Sequence, residues 1–500
     1  MSTASATTTQ ASTYGSLRAA AVPLAALCLA FFVEMVDNTL LSVALPTIGR
    51  SLGSGTTALQ WVTGAYSLTF GGLLLTAGSA ADRFGRRRVL LTGLAFFGLV
   101  SSSVVLVTGI GQLIALRAAL GCAAAAMAPV TMSLIFRLFD DEKLRMRSIS
   151  VVMVVGMSGF VLGPLLGGTV LTHASWQWLL VVNAPVALIA WIGVRTGVPA
   201  DRRGDLTSER LDLPGTALTV AAIGLGCYTL TSGVQHGWLA PVTLACALGA
   251  VAAVWGFLLR ERRAASPMID FEVFRTGPAR GAAITQLGAS VTMASVTFGL
   301  ILHFQYAYGW SPVRAGLANL PLILTMILAT PVAEHLAARL GHRNACLVGT
   351  ALLVGSLLGM AWAVEHGYLA IAAMMIVLTT GLRTIMTICA VALVEAMPRN
   401  RTSIGAALND TSQEVGTSLG TAVVGTLIAA LVTSTLPGGA WSPDLVHAYF
   451  AGERITYLAV AVLVGVITTF GSLSLTDSHT AEELKMSDDE QAAAETSSRR

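Results

Sequence analysis

The 500-residue chain is 54% hydrophobic, carries 50 glycines and is only 11% charged, where soluble domains hold about 25% charged residues. That excludes an ordinary soluble protein and describes a polytopic membrane protein. The formal charge of +3 decides little by itself, because the side of the membrane on which charges fall matters more than their sum.

Lysine occurs only at Lys143 and Lys485, so no GxxxxGK[ST] phosphate loop is present and the chain carries no P-loop ATPase of its own. Six cysteines (Cys28, Cys122, Cys227, Cys246, Cys346, Cys389) lie in apolar runs without CxxC or CxH spacing. They are expected to be small buried hydrophobes, not disulfides or metal ligands. No HExxH motif and no same-helix histidine pair occurs, and an enzyme is not expected, nor a cofactor, a metal or a nucleic-acid partner.

In chain order, residues 1–18 form a Ser/Thr/Ala-rich N-terminus without a basic region, expected to be disordered and not a cleaved signal. Apolar segments then recur at about 20–44, 58–80, 88–108, 111–136, 148–171, 177–196, 213–233, 240–259, 281–304, 315–338, 345–364, 368–395, 404–433 and 455–475. Each is near the roughly 20 residues a spanning helix needs. Basic residues support this count of fourteen: if both ends share one side, 25 of the 30 Lys and Arg fall there, and Arg50, Arg314 and Arg454 on the other. That asymmetry places both termini in the cytoplasm. The expected fold is all-α, arranged as a six-helix bundle (19–197), a two-helix insert with its linkers (198–280) and a second six-helix bundle (281–476), followed by a disordered acidic tail (477–500).

The first span holds Glu34 and Asp37 near its middle. A charge at the centre of a membrane helix costs about 2.5–3.5 kcal/mol even on lenient scales. Spaced three apart, the two carboxyls share roughly one helix face, so that face is expected to look into a bundle or wet cavity. Leaving water favours the neutral carboxyl, which makes the pair a candidate for proton exchange; a polar pair bonded into the bundle for packing is the competing reading. In the fourth span, Leu113-Ile-Ala-Leu-Arg117-Ala-Ala-Leu-Gly121 carries a lone arginine. Either it faces inward and finds an acid, with Asp37 or Glu34 the natural candidates, or its long side chain snorkels to the interface.

Between spans two and three runs Gly78-Ser-Ala-Ala-Asp82-Arg83-Phe-Gly85-Arg86-Arg87-Arg88. Gly85 supplies a sharp turn. Asp82 sits at a helix C-terminus, the wrong dipole end for an anion, and needs a neighbouring arginine or another helix's N-terminus; otherwise the loop is a plain basic turn. A worn copy, Ala338-Arg339-Leu340-Gly341-His342-Arg343, follows span ten, as two related halves would provide. Span five contains Gly159, Gly163 and Gly167 every fourth residue, with Pro164 and Gly168. This is a smooth stripe that another helix can approach closely, beside a residue that can kink its own helix. Span thirteen places Asp410 and Glu414 on one face, and Arg383 lies inside span twelve, where it could neutralise one of them. The aromatics Phe31, Trp61, Tyr66, Phe298, Phe304 and Tyr306 either line a pocket or belong to interfacial belts. His303 stands alone near a helix end.

These motifs resemble those of the major facilitator superfamily, and in particular its fourteen-helix drug:proton antiporters. Asp37 to Pro46 resembles the family's first-helix motif. Gly78 to Arg88 resembles its signature loop with Ala80 for the usual Leu, and Leu113 to Gly121 resembles its helix-four motif with Leu120 for the usual Gln. Gly159 to Gly168 resembles its antiporter motif; Trp176-Gln-Trp178 and Asn183-Ala-Pro185 are also similar. The resemblance implies proton-coupled export of small hydrophobic or cationic drugs or antibiotics by a monomer in the plasma membrane. It implies proton coupling at Asp37 and Arg117, with Glu34, Asp410 and Glu414 as further acids. It also implies gating by Gly78, Asp82, Arg83, Gly85 and Arg86, and a leak-limiting pivot at Gly163, Pro164 and Gly167. Proton-coupled uptake of a metabolite is the alternative within transport; a membrane sensor or intramembrane enzyme is the alternative outside it.

Overall fold

The computed structural model describes residues 14–139, 141–201, 206, 211–263, 277–396, 402–432, 441 and 443–475. The segment before residue 14 and the tail from 477 lie outside them, so the expected disorder at both ends is not addressed. The elements are α1 (Ala21–Leu52), α2 (Thr56–Phe84), α3 (Arg86–Ser102, continued by a 3-10 turn Ser103–Leu106), α4 (Ile110–Leu138), α5 (Glu142–His173), α6 (Gln177–Val181), α7 (Asn183–Gly197), α8 (Leu213–His236) and α9 (Pro241–Glu261). The second part holds α10 (Gly277–Leu302, continued by a π-helical turn His303–Ala307), α11 (Pro312–Leu317), α12 (Leu320–Leu328), α13 (Thr330–Ala363), α14 (Tyr368–Glu395), α15 (Thr402–Leu431) and α16 (Pro443–Leu473).

Local chemistry sets the helix ends. Asp141, Asp212 and Ser311 cap their helices by accepting from the backbone N–H of Lys143, Gly215 and Arg314, satisfying donors that have no partner inside the helix. Proline opens α8, α9, α11, α12 and α13, where its missing N–H removes nothing from the ladder. Two glycines take a conformation other residues avoid. Gly85, between α2 and α3, has φ 101° and ψ 130°, and Gly341 breaks α13 with φ 74° and ψ 170°. They occupy matching places in the signature loop and its worn copy, and both use the positive φ that costs glycine nothing.

Among the described residues, eleven helices are long and apolar enough to cross a membrane. Together with the all-helical architecture, this makes the chain a multi-pass membrane protein. The expected spans are matched closely by α4, α8, α9 and α14, while α1 runs on to Leu52, past the expected end at 44. The tenth is broken into α11, α12 and the first part of α13, because prolines and Gly341 interrupt it. The last begins at Pro443, well before the expected 455.

Helices α1, α5 and α7 pack together, as do α2, α3 and α4; α10 packs with α15 and α16, and α13 with α14 and α16. In the insert, α8 lies against α2 and α15, and α9 packs on α8. Burial follows from this arrangement: 83% of the apolar window of α10 is enclosed but only 11% of that of α9, which leaves Leu239, Leu248, Val251 and Trp255 outward on the insert.

The two bundles meet along α2 and α15 and at one end of the molecule. On α2, Gly64 faces Ser418 and Thr421, Gly71 faces Glu414, and Gln60 bonds Thr426 at 3.3 Å. At the end opposite Gly85, Gln305 Nε2 donates to Val43 O at 2.8 Å and Tyr306 Oη donates to Pro46 O at 3.1 Å. There, too, Pro164 of α5 presses on Gly316, and Gly168 on the backbone of Val313.

Candidate functional site

The site forms where α1, α2, α4 and α7 converge. Asp37 and Arg117 are 1% and 0% exposed, with Arg117 Nη1 2.5 Å from Asp37 Oδ2. Asn183, the first residue of α7, donates from Nδ2 to Asp37 Oδ1 at 2.6 Å. Arg117 Nε donates to Val62 O at 3.2 Å, and the guanidinium lies 4.3 Å above the Tyr66 ring. Both carboxylate oxygens are therefore occupied, and the cation has an aromatic face beneath it. Arg117 Nη2 is buried without a hydrogen-bond partner.

The sequence makes this geometry possible. A side chain at Gly121 would overlap Tyr66 O and Thr69 Oγ1, so glycine lets α4 approach the α2 backbone. Thr69 Oγ1 fastens that approach by donating to Ala118 O at 2.8 Å. Arg117 turns inward to an acid and does not run to the helix end, the first of its two expected readings.

Glu34, one helical turn before Asp37, is 2% exposed. The charges that reach it are those of Glu414, Asp410 and Asp37. Acids of the first and thirteenth spans thus lie near enough for their charges to be felt at Glu34, and the charges of Glu34, Asp37 and Glu414 also reach Tyr66. Glu414 is half-buried against Gly71, and its Oε2 has no hydrogen-bond partner. Asp410 is exposed and accepts from Asn409 Nδ2 at 3.2 Å.

Arg383 joins neither acid. It donates to Thr330 Oγ1 at 2.9 Å, and the carboxylate whose charge reaches it is Glu334. Neutralisation of Asp410 or Glu414 by Arg383 is therefore not what this arrangement contains.

The glycine stripe of α5 packs inside its own bundle. Side chains added at Gly159, Gly163 and Gly167 would press on Met35 and Val36, on Thr39, and on Leu40 of α1. Thr39 Oγ1 donates to Gly159 O at 3.1 Å. Pro164 and Gly168, on the neighbouring face, make the contact with the other bundle. One motif thus holds α5 to the helix bearing Asp37 and also closes the end of the molecule.

In the signature loop, Asp82 accepts from Arg86 at 3.0 Å, with 47% and 35% of the two side chains exposed. Arg83 lies 5.4 Å from the Phe84 ring, and nothing lies near Gly78. The loop is tied down by a residue the sequence did not single out. Asp201, just past α7, accepts from the Arg87 backbone N–H at 3.1 Å and from Arg137 Nη1 at 2.8 Å, with its carboxylate against Gly85. Asn183 stands in the sequence only as part of the family-like Asn183-Ala-Pro185 run, without a role of its own, and Glu453 falls before the expected last span, not within it.

The chain is thus a helical membrane protein with a buried ion pair between its first and fourth long helices. The family model of the Major Facilitator Superfamily matches residues 27–421, and the chain belongs to that superfamily of transporters. It is 32% identical to the puromycin resistance protein of Streptomyces alboniger, covering 89% of both chains. It is 30% identical to the tetracenomycin C resistance and export protein of Streptomyces glaucescens, over 83% of this chain and 77% of that one. It is also 30% identical to the multidrug efflux pump LfrA of Mycolicibacterium smegmatis, over 83% and 82%. Among solved structures, a bacterial homolog of the human lysosomal transporter Spinster, inward-facing and unoccupied, shares the fold with a TM-score of 0.66. Its identity is 15%, with 92% of this chain and 98% of that one covered.

Proposed function

We propose that this protein exports small hydrophobic or cationic drugs or antibiotics across the plasma membrane in exchange for protons, as a monomer working by alternating access. Its relatives are named for resistance to such compounds or for their export. The observation that carries the proton reading is Asp37 held between Arg117 and Asn183, with buried Glu34 one turn away. Asp37 and Glu34 are shielded from water, where a bare charge is costly and gaining or losing a proton changes that cost.

The topology we propose has fourteen crossings as six, two and six. The count adds α2, α5 and the broken segment from α11 to Gly341 to the eleven helices above, and divides α13 at Gly341. Both termini are cytoplasmic in this reading, since the basic residues gather at that end. The closed contacts of Tyr306, Gln305 and Gly168 then lie on the outside, and the conformation is inward-facing.

In that state the cargo enters from the cytoplasm and sits by Glu414 and Glu34, and its arrival releases a proton. After the outer contacts part, an external proton neutralises the acids, displaces the cargo and lets the empty carrier return. Asp82, Arg83 and Arg86 act when the inner end closes, in the other conformation.

The test uses everted vesicles containing this protein, an imposed proton gradient and a panel of cationic and neutral drugs. Accumulation that collapses with the gradient supports the reading. Accumulation indifferent to the gradient would remove proton coupling, and no accumulation of any compound would remove export.

A further inference from the structure

We infer that His303 and Glu453 form a second proton-binding site, separate from Asp37 and Arg117, which keeps one proton while the two bundles are closed at their outer end and loses it when they part. His303 Nδ1 lies 2.6 Å from Glu453 Oε2, and the two side chains are 0% and 1% exposed. Tyr457 Oη donates to Glu453 Oε1 at 3.2 Å, and a side chain at Gly299 would press on that hydroxyl, so glycine there makes room for it. The rest of the surroundings are aromatic: Phe450 stacks on the imidazole at 5.4 Å and Tyr308 meets its edge at 4.5 Å. His303 Nε2 and Tyr449 Oη are buried without hydrogen-bond partners.

The charge balance of this pocket depends on one proton. With a proton on both imidazole nitrogens and an ionised Glu453, or with a neutral imidazole and a protonated Glu453, the pair carries no net charge. Removing one proton leaves a single buried anion. Among the described residues no cation is buried with it: Arg50, Arg314, Arg454 and His447 are exposed at the surface, as are Asp444, Glu365 and His366. Arg50 and Arg314 lie over the Tyr306 and Trp310 rings. An isolated buried charge is expensive, so the deprotonated pair favours an arrangement that admits water.

The pair is built into the outer closure. His303 opens the π-helical turn, in which the Tyr308 N–H reaches His303 O at 3.1 Å; such turns gather at functional sites. The same turn carries Gln305 and Tyr306, which bind Val43 O and Pro46 O of the other bundle. A shift of His303 toward solvent therefore pulls directly on the contact that holds the outer end shut. This claim does not require that protons drive export.

The test measures the distance between the bundles at this end by electron spin resonance. Labels are placed at Ala174→Cys and Leu369→Cys, both exposed, in the full chain with its six native cysteines replaced by alanine and reconstituted in lipid. One-proton linkage allows at most about a tenfold change in the closed-to-open ratio per pH unit. We expect that ratio to rise at least about fivefold as pH falls from about 8 to about 6. His303→Gln and Glu453→Gln should flatten the dependence, while Asp37→Asn should retain it. Tyr457→Phe, which keeps the packing, removes a donor to the carboxylate and should change the closed-to-open ratio at a given pH. A flat wild-type profile, unchanged dependence in the His303 and Glu453 variants, or an unchanged ratio in Tyr457→Phe would overturn the assignment. Loss of the dependence in Asp37→Asn alone would assign it to the first site and overturn it equally. Drug export is measured on the same samples: proton-driven export with a flat distance profile removes only this pair, and the reverse removes only the export reading.

Discussion

Arg117 reaches Asp37 across 80 positions of chain, with 2.5 Å between Nη1 and Oδ2. In a buried pair the partners do not merely add stability; each makes the burial of the other tolerable. Removing one from such a pair typically costs about 3–5 kcal/mol. Asp37→Asn should therefore abolish proton-driven export and also lower the thermal stability of the purified protein. The double variant Asp37→Asn/Arg117→Gln should regain much of the stability and none of the transport. A thermal-shift assay beside a transport assay separates the two effects, and equal instability of single and double variants would contradict the pairing argument.

Asn183 acts on the same carboxylate. A hydrogen bond to a charged group contributes about 1.5–3 kcal/mol, so Asn183→Ala should leave a folded protein in which the Asp37 carboxylate has lost one of its two partners. The consequence is slower proton-driven export, because the carboxylate is no longer held on both sides. Export by Asn183→Ala at the wild-type rate would show that the 2.6 Å bond has no part in positioning the acid.

The glycines of α5 divide into two groups with different expected phenotypes. Gly163→Leu drives a side chain into Thr39 and should destabilise the α1–α5 contact, reducing folded yield; overpacking costs typically about 1–3 kcal/mol. Gly168→Val meets the backbone of Val313 in the other bundle. It should fold but hold the outer end apart, visible as proton leak through vesicles without drug. Gly78→Ala, with nothing near the added carbon, is the control and should be neutral or stabilising by up to about 1 kcal/mol. Leak in the Gly78 variant equal to that in Gly168→Val would undo the distinction.

The signature loop offers a contrast between an exposed and a shielded acid. The Asp82–Arg86 pair is half-exposed and contributes about 0–1 kcal/mol to the resting fold, so Asp82→Asn should lower transport with little change in melting temperature. Asp201 is 5% exposed, with Arg137 and the Arg87 amide on its carboxylate. Asp201→Ala should lower the melting temperature by several degrees as α3 and α4 lose their common anchor. Melting curves of the two variants decide the matter, and the reverse order would contradict it.

Apolar run length revealed the helices because a bilayer demands it, and the cost of a central charge revealed Glu34, Asp37 and Arg117. Their partners were harder to read. Asn183 is an ordinary amide at a helix start. Asp201 sits in a charged linker, where a carboxylate costs nothing until folding brings it back to Arg87 over 114 positions. Glu453 was missed because polar residues on the first turns of α16 disguised the start of that helix. Arg383 invited an acidic partner, yet tertiary packing gave it Thr330 and Glu334. The worn loop at Gly341 was a short match in sequence; its backbone conformation, shared with Gly85, relates the two halves more firmly than the letters do.

The account rests on cargo and proton competing for the acids around Asp37, and the most direct test is proton release on binding. Purified protein in weakly buffered detergent solution is mixed with a cationic drug such as ethidium while pH is followed. Drug-induced acidification is expected, with affinity that rises with pH, since linkage is reciprocal; it should vanish in Asp37→Asn and weaken in Glu34→Gln and Glu414→Gln. Tight drug binding with no proton released, or undiminished release by Asp37→Asn, would contradict the account.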